Sequence, residues 1–509
     1  MPTRERITER RWTDTGSAAS DLVRPRDDLV LERRVDEPDG DSLPAHFVQT
    51  EGPFTVWERS VHRDGDDLVE TTRHRVEVPW FGWLYAIPIA ALVARRRHAP
   101  GSGRPIRITR QWWAPPDRLA PRQVRVLGLL AAAAMSSAFV NTLFTQTVTF
   151  AADDFGVGNR EIGIAGAMVR LGILITIPLA VLADRIGRRR VIVGLAWSAP
   201  LVSSLGALAP TFPLLVATQT IGRPLGLGLD FLIAVVAAEE MPRNSRAHAV
   251  GVLAMASGLG AGIAVMALPL TDLAAGGWRL VYLLGVIWLV VAVDLTRRLP
   301  ETQRFATAHR EHVRIDRRRF ALLAAIAVGV NLFVAPASFF QNRYLDEVRG
   351  LSGSWIAAFT LGTSTPAAIG LIVGGQLADR GGRRRLIGVA LPAATALILL
   401  SFTVGGPVMW LAAFAGGVAG GMSYPALAVY RAELFPTGNR SRAAGLLTVA
   451  ALLGGVIGLL VAGWMLDGGR SYGAVLGMLA MGQLLAVAIV LGFLPETAHR
   501  ELEELNPDG

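Results

Sequence analysis

Three ionisable residues lie deep inside apolar segments of this sequence, where a charge is costly. Asp230 is the only carboxylate far from the ends of its segment; Arg223 lies seven residues before it, and Arg170 lies in an earlier segment. A carboxylate can bind and release a proton, whereas an arginine stays charged and can bind anions. On a helix, seven residues place Arg223 and Asp230 on one face, about 10 Å apart, too far for a direct pair. The three residues therefore form either a proton- or substrate-binding site facing a cavity, or a structural network joining the two segments.

The segments that hold these residues are long enough to cross a membrane. The chain of 509 residues is 51% hydrophobic and only 18% charged, whereas about a quarter of the residues of a soluble chain are charged. The chain has no cysteine, which excludes disulfides, thiolate metal sites and cysteine nucleophiles. We find no nucleotide-binding loop, metal-binding cluster or nucleophile constellation. We therefore expect a polytopic membrane protein that is not an enzyme and needs no cofactor or metal.

From Val124 onward, hydropathy predicts an all-α membrane region of twelve spans in two halves of six. The N-terminal half covers residues 124–303 and the C-terminal half covers 319–496, with a linker at 304–318 and a tail at 497–509. The predicted spans, numbered 1 to 12, lie near residues 124–151, 161–183, 190–209, 213–238, 247–270, 278–297, 319–344, 353–378, 386–404, 408–430, 443–466 and 472–494.

The basic residues of the chain predict its orientation. All of them are arginines, because the sequence has no lysine, and the formal net charge is +9. The arginines cluster in short runs after spans 2, 4, 6, 8 and 10, which is the topology signal of membrane proteins and not a nucleic-acid-binding pattern. These connections and both termini are therefore predicted to be cytoplasmic. The N-terminus has no apolar core followed by a cleavage site, so we expect no signal peptide.

The first 123 residues lie outside this pattern. Residues 1–45 are charged and rich in Asp, Arg, Ser and Pro, which predicts a disordered tail. Within the extension at 46–123, two alternating segments flank Asp64 and Gly65 and predict a small β-hairpin. Residues 79–94 are apolar and aromatic, but they are short for a span and contain two prolines. Their Trp and Tyr favour an interfacial or re-entrant segment; an additional span is the alternative.

One nine-residue phrase occurs twice in the chain. "LADRIGRRR" begins at Leu182 and "LADRGGRRR" at Leu377, an offset of 195 residues. The "LPET" sequence that contains Glu301 recurs with Glu496 at the same offset, as does Gln146 with Gln341. A parallel duplication of a six-span unit explains these offsets and is found in transporters.

The pattern G-x-x-x-D-R-x-G-R-R-R after spans 2 and 8, in a chain of two six-span halves, resembles the major facilitator superfamily. The second copy fits fully from Gly375 to Arg385, whereas the first has Ala180 at the first glycine. The sequence "AELFPTGNRSRAAG" and the two "PET" signatures look like the sugar-porter and organic-acid symporter branches. The G-P-x-x-G-G pattern of drug/proton antiporters is not met in span 5. The resemblance covers residues 124 to about 500 and implies a secondary transporter that works by alternating access.

The resemblance also implies a gate at the repeated phrase. In the family, the Asp and Arg of this motif lock the two halves together until the cavity turns inward; topology and tight turning are the simpler interpretation. The candidate gating residues lie in the two phrases and in the loops after spans 4 and 10: Asp184, Arg185, Gly187, Arg188, Asp379, Arg380, Gly382, Arg383, Glu240, Arg246, Glu433 and Arg442.

Neutral polar side chains deep in the spans are candidates for substrate recognition. They are Asn141, Gln146, Asn331 and Gln341, together with the aromatic residues Trp410 and Tyr424, for which packing is the alternative. Asp230, Arg223 and Arg170 are the candidates for proton coupling.

These observations predict a proton-coupled secondary transporter of a small polar metabolite, a sugar or an organic acid. We expect a monomer in the cell (plasma or inner) membrane, with the lipid bilayer, protons and a small-molecule substrate as partners. The alternatives are a multidrug exporter of the same fold and, because of the unusual N-terminal extension, a membrane sensor that transports nothing.

Overall fold

Most of the chain is described by a computed structural model. The described residues are 5–13, 22–28, 30–36, 43–94, 115, 117–242, 245–301, 316–435 and 440–497. Most of the predicted linker at 304–318, and all of the predicted tail except Thr497, lie outside this part of the chain.

Twelve helical segments follow one another between Pro121 and Phe493, as the hydropathy predicts. Span 1 is Pro121–Phe155, span 3 Arg188–Ser204, span 4 Phe212–Glu240, span 5 Arg246–Met266, span 7 Arg317–Phe339, span 9 Arg383–Ser401, span 10 Gly406–Glu433 and span 11 Arg440–Asp467. The others consist of two helices each: span 2 of Asn159–Leu171 and Thr176–Ile186, span 6 of Trp278–Leu283 and Leu289–Arg298, span 8 of Gly353–Ser364 and Ala367–Gly381, and span 12 of Tyr472–Leu479 and Met481–Phe493.

Short 3₁₀ segments and one further helix complete these spans. The 3₁₀ segments are Gly172–Ile175, Leu205–Leu208, Leu268–Leu273 and Leu284–Trp288, and the helix Gln341–Glu347 follows span 7. Within the described part of the chain, ten segments are long and apolar enough to cross a membrane: spans 1, 3–7 and 9–12. Span 2 passes through the 3₁₀ segment Gly172–Ile175 between its two helices, and the helix of span 8 is broken at Pro366.

An antiparallel five-stranded sheet forms most of the N-terminal extension. Its strands are β1 Arg6–Thr13, β2 Leu31–Arg34, β3 Ala45–Glu51, β4 Phe54–Asp64 and β5 Asp67–Val76, in the order β1-β5-β4-β3-β2. The predicted turn at Asp64 and Gly65 joins β4 to β5, and Asp64 pairs with Asp67 across it. Phe47, Val61 and Leu68 form a small core on one face of the sheet.

The prediction of a disordered tail over residues 1–45 is wrong for β1 and β2. β1 pairs along its whole length with β5, so backbone hydrogen bonds hold it although half of its side chains are charged and more than half are exposed. Leu22, Val23 and Val30 supply the apolar contacts that the strands lack. The charged composition of this segment therefore belongs to the solvent-facing surface of a folded sheet.

The aromatic segment at 79–94 forms a helix on the sheet. This helix, α1, is Gly82–Ala94; its 13 residues are too few to cross a membrane, and Pro88 lies inside it. Ile89 and Val93 pack against Phe54 and Trp57 of the sheet. This packing favours the interfacial interpretation over an additional membrane span.

Among the described residues, the apolar helical core is continuous between the two halves at one end of the molecule and divided at the other. One apolar cluster joins residues of both halves, such as Phe144, Ile162 and Leu268 with Phe339 and Leu459. At the other end, where the arginine-rich connections lie, each half has its own cluster. We call the end with the separate clusters the arginine-rich end, and the end with the shared cluster the opposite end. The two halves are thus packed together at the opposite end.

Candidate functional site

Small residues bring the two halves into close contact at the opposite end. Gly163 of span 2 faces Gly463 of span 11: a Cβ atom built on Gly163 would lie 2.6 Å from the carbonyl oxygen of Leu459 and 3.0 Å from the Cα atom of Gly463. No side chain fits in this space, so the backbones of spans 2 and 11 touch.

Polar contacts close the same end. Asn342 donates from Nδ2 to the backbone oxygen of Gln146 at 2.9 Å and to its Oε1 atom at 3.0 Å. Arg343 forms an ion pair with Asp153 of span 1. These contacts join span 1 to the helix that follows span 7, and spans 1 and 7 occupy corresponding places in the two halves.

A third polar contact joins spans 5 and 8. Asp272, at the end of span 5, accepts from the backbone N–H groups of Gly353 and Ser354 at 2.7 and 2.9 Å. The carboxylate therefore caps the first turn of span 8, where the unsatisfied N–H groups of a helix favour an anion.

Towards the arginine-rich end, the helices of spans 2 and 8 pack chiefly within their own halves. Thr176–Ile186 contacts spans 3 and 4, and Ala367–Gly381 contacts spans 9 and 10. The space between the halves is therefore closed at the opposite end and opens towards the arginine-rich end.

Asp230 lies beside neutral partners of span 1. Asn141 donates from Nδ2 to Oδ2 of Asp230 at 3.4 Å and to the hydroxyl of Ser137 at 3.2 Å. Ser137 donates to the backbone oxygen of Gly226, one turn before Asp230, at 2.7 Å. The side chain is half-buried, and no cation among the described residues forms an ion pair with it. Asp230 can therefore take up a proton without breaking an ion pair.

Arg170 and Arg223 are brought together, although they lie in different spans. The Gly172 backbone of span 2 packs against Thr220 and Pro224 of span 4, and the two guanidinium groups are close enough to repel each other. Within the described part of the chain neither arginine forms an ion pair, and Nε of Arg223 has no hydrogen-bond partner.

The guanidinium group of Arg170 also reaches across to the C-terminal half. A Cβ atom built on Gly455 of span 11 would lie 2.6 Å from Nη1 of Arg170. The positive charge of Arg170 is therefore at the boundary between the halves. Arg170 therefore also contacts the C-terminal half, which a structural network confined to spans 2 and 4 would not involve.

The other predicted recognition residues do not form one cluster. Asn331 donates to the carbonyl oxygen of Ala327 in its own helix, and Gln341 lies 3.4 Å from the hydroxyl of Thr360. The ring of Trp410 packs edge-on against Phe359 at 4.9 Å, as a packing role predicts, whereas Tyr424 is 66% exposed. Gln146 contacts Asn342 at the opposite end.

The two repeated phrases and the two "PET" sequences form one structure in each half. Gly187 has φ +99°, which glycine adopts most easily, and it joins span 2 to span 3. The backbone N–H of Arg189 donates to Oε1 of Glu301 at 3.2 Å. A Cβ atom on Gly187 would lie 3.3 Å from that carboxylate. Glu301 thus caps the first turn of span 3.

The C-terminal half repeats this capping with closer contacts. Gly382 has φ +93°, and the backbone N–H groups of Arg383 and Arg384 donate to the two carboxylate oxygens of Glu496 at 2.9 and 3.0 Å. The Arg383 side chain donates to the hydroxyl of Thr497 at 2.7 Å. The sequence showed the common offset of the two motifs but not that they touch.

Several gating candidates contact their own half. Arg188 forms an ion pair with Glu239, and Glu240 lies 3.8 Å from Arg122. Arg185 is exposed. The side chains of the remaining candidates, Asp184, Arg246, Asp379, Arg380, Glu433 and Arg442, lie outside the described part of the structure.

Sequence reasoning missed the charged cluster that follows span 7. Arg343 and Glu347 form an ion pair in the helix Gln341–Glu347, and Asp346 lies within hydrogen-bond reach of Asp153 in the other half. Burial raises the pKa of Asp346 to about 6, and the neighbouring Asp153 adds to the increase. The polar run "QNRYLDE", placed directly after an apolar span, was the available signal.

Comparison with known proteins places the chain among membrane transporters. The family model of the Major Facilitator Superfamily matches residues 130–365 and 349–507. The cis,cis-muconate transport protein of Acinetobacter baylyi is 25% identical over 370 residues, which are 68% of this chain and 87% of that protein. The citrate-proton symporter of Klebsiella pneumoniae is 28% identical over 327 residues, 57% of this chain and 72% of the symporter. A probable actinorhodin transporter of Streptomyces coelicolor is 33% identical over 154 residues, but this match spans only 26% of its length.

Solved structures share the fold. The xylose transporter XylE from E. coli, in an inward-open conformation, superimposes with a TM-score of 0.63 over 75% of this chain and 98% of its own, at 18% identity. A bacterial homolog of the human lysosomal transporter Spinster, in an inward-facing conformation, gives a TM-score of 0.59 over 73% and 94%, at 19% identity.

Proposed function

From the premise that this chain belongs to the major facilitator superfamily and is a secondary transporter, we propose that its substrate is a small molecule carrying a carboxylate and that transport is coupled to protons through Asp230. The observation that carries the proposal is that the guanidinium groups of Arg170 and Arg223 are near enough for their charges to repel each other and form no ion pair among the described residues.

Two charged groups without partners are unstable in an apolar surrounding. A charge within a membrane costs about 2.5–3.5 kcal/mol on insertion scales, so such groups pair with each other or with a ligand. An arginine presents two parallel N–H groups that match the two oxygens of a carboxylate. A bound carboxylate would relieve the repulsion between Arg170 and Arg223, and Arg170 would bring it against span 11.

Two of the similar proteins support the same class of substrate. They are named for the transport of muconate and of citrate, which are organic acids, and one of the two is named a proton symporter. Among the sequence-based alternatives, an organic acid fits the two arginines better than a neutral sugar. The lack of the drug/proton antiporter signature in span 5 is consistent with this choice.

The geometry also fits alternating access. The halves are closed at the opposite end and separate towards the arginine-rich end. We propose that the arginine-rich end faces the cytoplasm, following the positive-inside rule, so that the structure corresponds to an inward-open state of a protein of the cell membrane. Both described termini then lie on the cytoplasmic side.

The test is uptake of organic acids into proteoliposomes under an imposed pH gradient. We expect accumulation of at least one mono-, di- or tricarboxylate and none of the neutral sugars. Arg223→Gln and Arg170→Gln should each weaken binding of that acid about tenfold or more, which corresponds to the loss of one charge-assisted hydrogen bond. Arg297→Gln, at an exposed arginine at the end of span 6, is the matched control and should bind normally.

A different selectivity would contradict the proposal. If the protein transports lipophilic cations and no carboxylate, it is a multidrug exporter. If Arg223→Gln and Arg170→Gln bind the acid as tightly as Arg297→Gln, the two arginines have a structural role.

A further inference from the structure

The helix α1 has two apolar faces, and only one of them is covered. Ile89 and Val93 are buried against the sheet. Trp83 and Ile87 are four residues apart, and so lie on one face, and they are 75% and 77% exposed. Position 87 is about 200° around the helix from position 89, which puts the exposed face opposite the sheet.

Contacts at the start of α1 fix its depth relative to the spans. A Cβ atom built on Gly128 of span 1 would lie 2.8 Å from Cδ of Pro79. Trp80 donates from Nε1 to Asp294 of span 6 at 3.1 Å, and Glu77 pairs with Arg125 of span 1 at 2.9 Å. The segment that leads into α1 is thus packed against the N-terminal half.

These contact points lie near the ends of the spans. Gly128 is seven residues from the start of span 1, about 10 Å, and Asp294 is four residues from the end of span 6, about 6 Å. Arg122, Arg125 and Arg298 belong to the same turns. Charged side chains at both helix ends mark the level of the lipid headgroups, where a helix that lies along the surface would rest.

We propose that the exposed face of α1, formed by Trp83 and Ile87, lies in the headgroup–acyl boundary of the same membrane that the twelve spans cross. Tryptophan favours this boundary because its ring is apolar and its N–H group is polar. The contacts to spans 1 and 6 place the face at this level, which makes lipid its occupant, and not a soluble protein. The sheet is then held against the membrane surface beside the N-terminal half.

The absence of cysteine makes this proposal simple to test, because one introduced cysteine is a unique labelling site. Ile87→Cys and Trp83→Cys are labelled with a nitroxide and reconstituted into liposomes. Collisions with oxygen, which concentrates in lipid, are compared with collisions with a water-soluble nickel chelate. Ile7→Cys is the matched control, because Ile7 is an equally apolar side chain, 68% exposed, on the edge strand β1.

We expect the ratio of oxygen to nickel collisions to be several-fold higher at positions 83 and 87 than at position 7. If the labels at positions 83 and 87 collide with the nickel chelate as often as the label at position 7, the exposed face is in water. This result would overturn the proposal. Shielding from both reagents at both positions would mean that protein covers the face, and would also overturn it. Neither measurement depends on transport or on the identity of the substrate. The second labelled position keeps the test decisive if one variant does not fold.

Discussion

Asp230, within span 4, is held by neutral groups, whereas some carboxylates nearer the span ends are paired with arginines. Asp153 and Glu239 each form an ion pair with an arginine, whereas Asp230 contacts Asn141 of span 1. A carboxylate without a fixed counter-charge can change its protonation when the halves move relative to one another.

We therefore expect Asp230→Asn to abolish accumulation driven by a pH gradient while exchange of labelled for unlabelled substrate continues. Asp230→Glu should retain part of the coupling, because it keeps the carboxylate. Uptake by proteoliposomes, with and without the gradient, measures both activities. Continued accumulation by Asp230→Asn, with protons as the only driving ion, would assign Asp230 a structural role.

The raised pKa of Asp346 predicts that closure of the opposite end depends on pH. Its pKa is raised to about 6 in the closed contact, chiefly by burial and then by Asp153, with Glu347 adding to the increase and Arg343 opposing it. Tyr472, which donates to Glu347 at 2.7 Å, borders the same cluster. A raised pKa means that the closed contact binds the proton more tightly than the open one. The contribution of Asp346 to closure is therefore complete below the ordinary carboxyl pKa near 4 and is lost as the pH rises through about 6.

The distance between spin labels at Val157→Cys and Val348→Cys, on the two sides of this contact, measures the closure. We expect the fraction of closed molecules to fall between pH 5 and pH 7.5. In an Asp346→Asn background the same pair should show no change over this range, because the amide does not titrate. A pH response that persists in Asp346→Asn would assign the titration to another group.

At the scale of elements, the capping of spans 3 and 9 explains why the repeated phrase and the "PET" sequence share one offset. Each carboxylate accepts backbone N–H groups that the first turn of a helix leaves without partners. The capping lies within one half, so it is separate from any lock between the halves. The gating role of Asp184 and Asp379 remains a prediction.

Removing this cap should destabilise the protein. Glu496→Gln loses a charge at a helix N-terminus, worth about 1–2 kcal/mol, and should lower the midpoint of thermal unfolding by a few degrees in detergent. Glu301→Gln should have a smaller effect, because the structure gives Glu301 one backbone N–H donor and Glu496 two from the neighbouring helix. Glu9→Gln, on the exposed face of β1, is the control. Identical midpoints for Glu496→Gln and Glu9→Gln would contradict the capping.

The sequence predicted the elements unevenly, for physical reasons. Continuous apolar length predicted the twelve spans, because crossing a membrane requires it. It did not predict the break of span 8 at Pro366, nor strand β1, whose backbone pairing with β5 needs no apolar pattern. Asp230 and Arg223 were found by their depth, whereas the contact of Arg170 with span 11 depends on packing between halves, which no local pattern encodes.

At the scale of the whole molecule, closure at the opposite end must be reversible if the protein transports. Asp272 and Ser354 belong to different halves, and their side-chain oxygens lie 2.6 Å apart. In Asp272→Cys/Ser354→Cys, a short bifunctional thiol reagent should hold this end closed.

We expect the linked protein to lose at least nine-tenths of its transport while still binding substrate from the arginine-rich end, and a reductant that cleaves the link should restore transport. Each single-cysteine variant treated in the same way is the control. Undiminished transport by the linked protein would mean that this end does not open during the cycle.

In each cap, a substitution of the glycine affects the glutamate and a substitution of the glutamate affects the glycine, although the two residues are more than a hundred positions apart. A side chain at Gly382 would need the space that the Glu496 carboxylate occupies, 2.9 Å from a Cβ atom, and would also disfavour the backbone angle of that turn. A shorter acid at position 496 would leave the turn without its anion. A change at either position therefore disturbs the contact made by the other. When segments are exchanged between related transporters, the loop after span 8 and the end of span 12 should be taken from the same parent, and so should the loop after span 2 and the end of span 6.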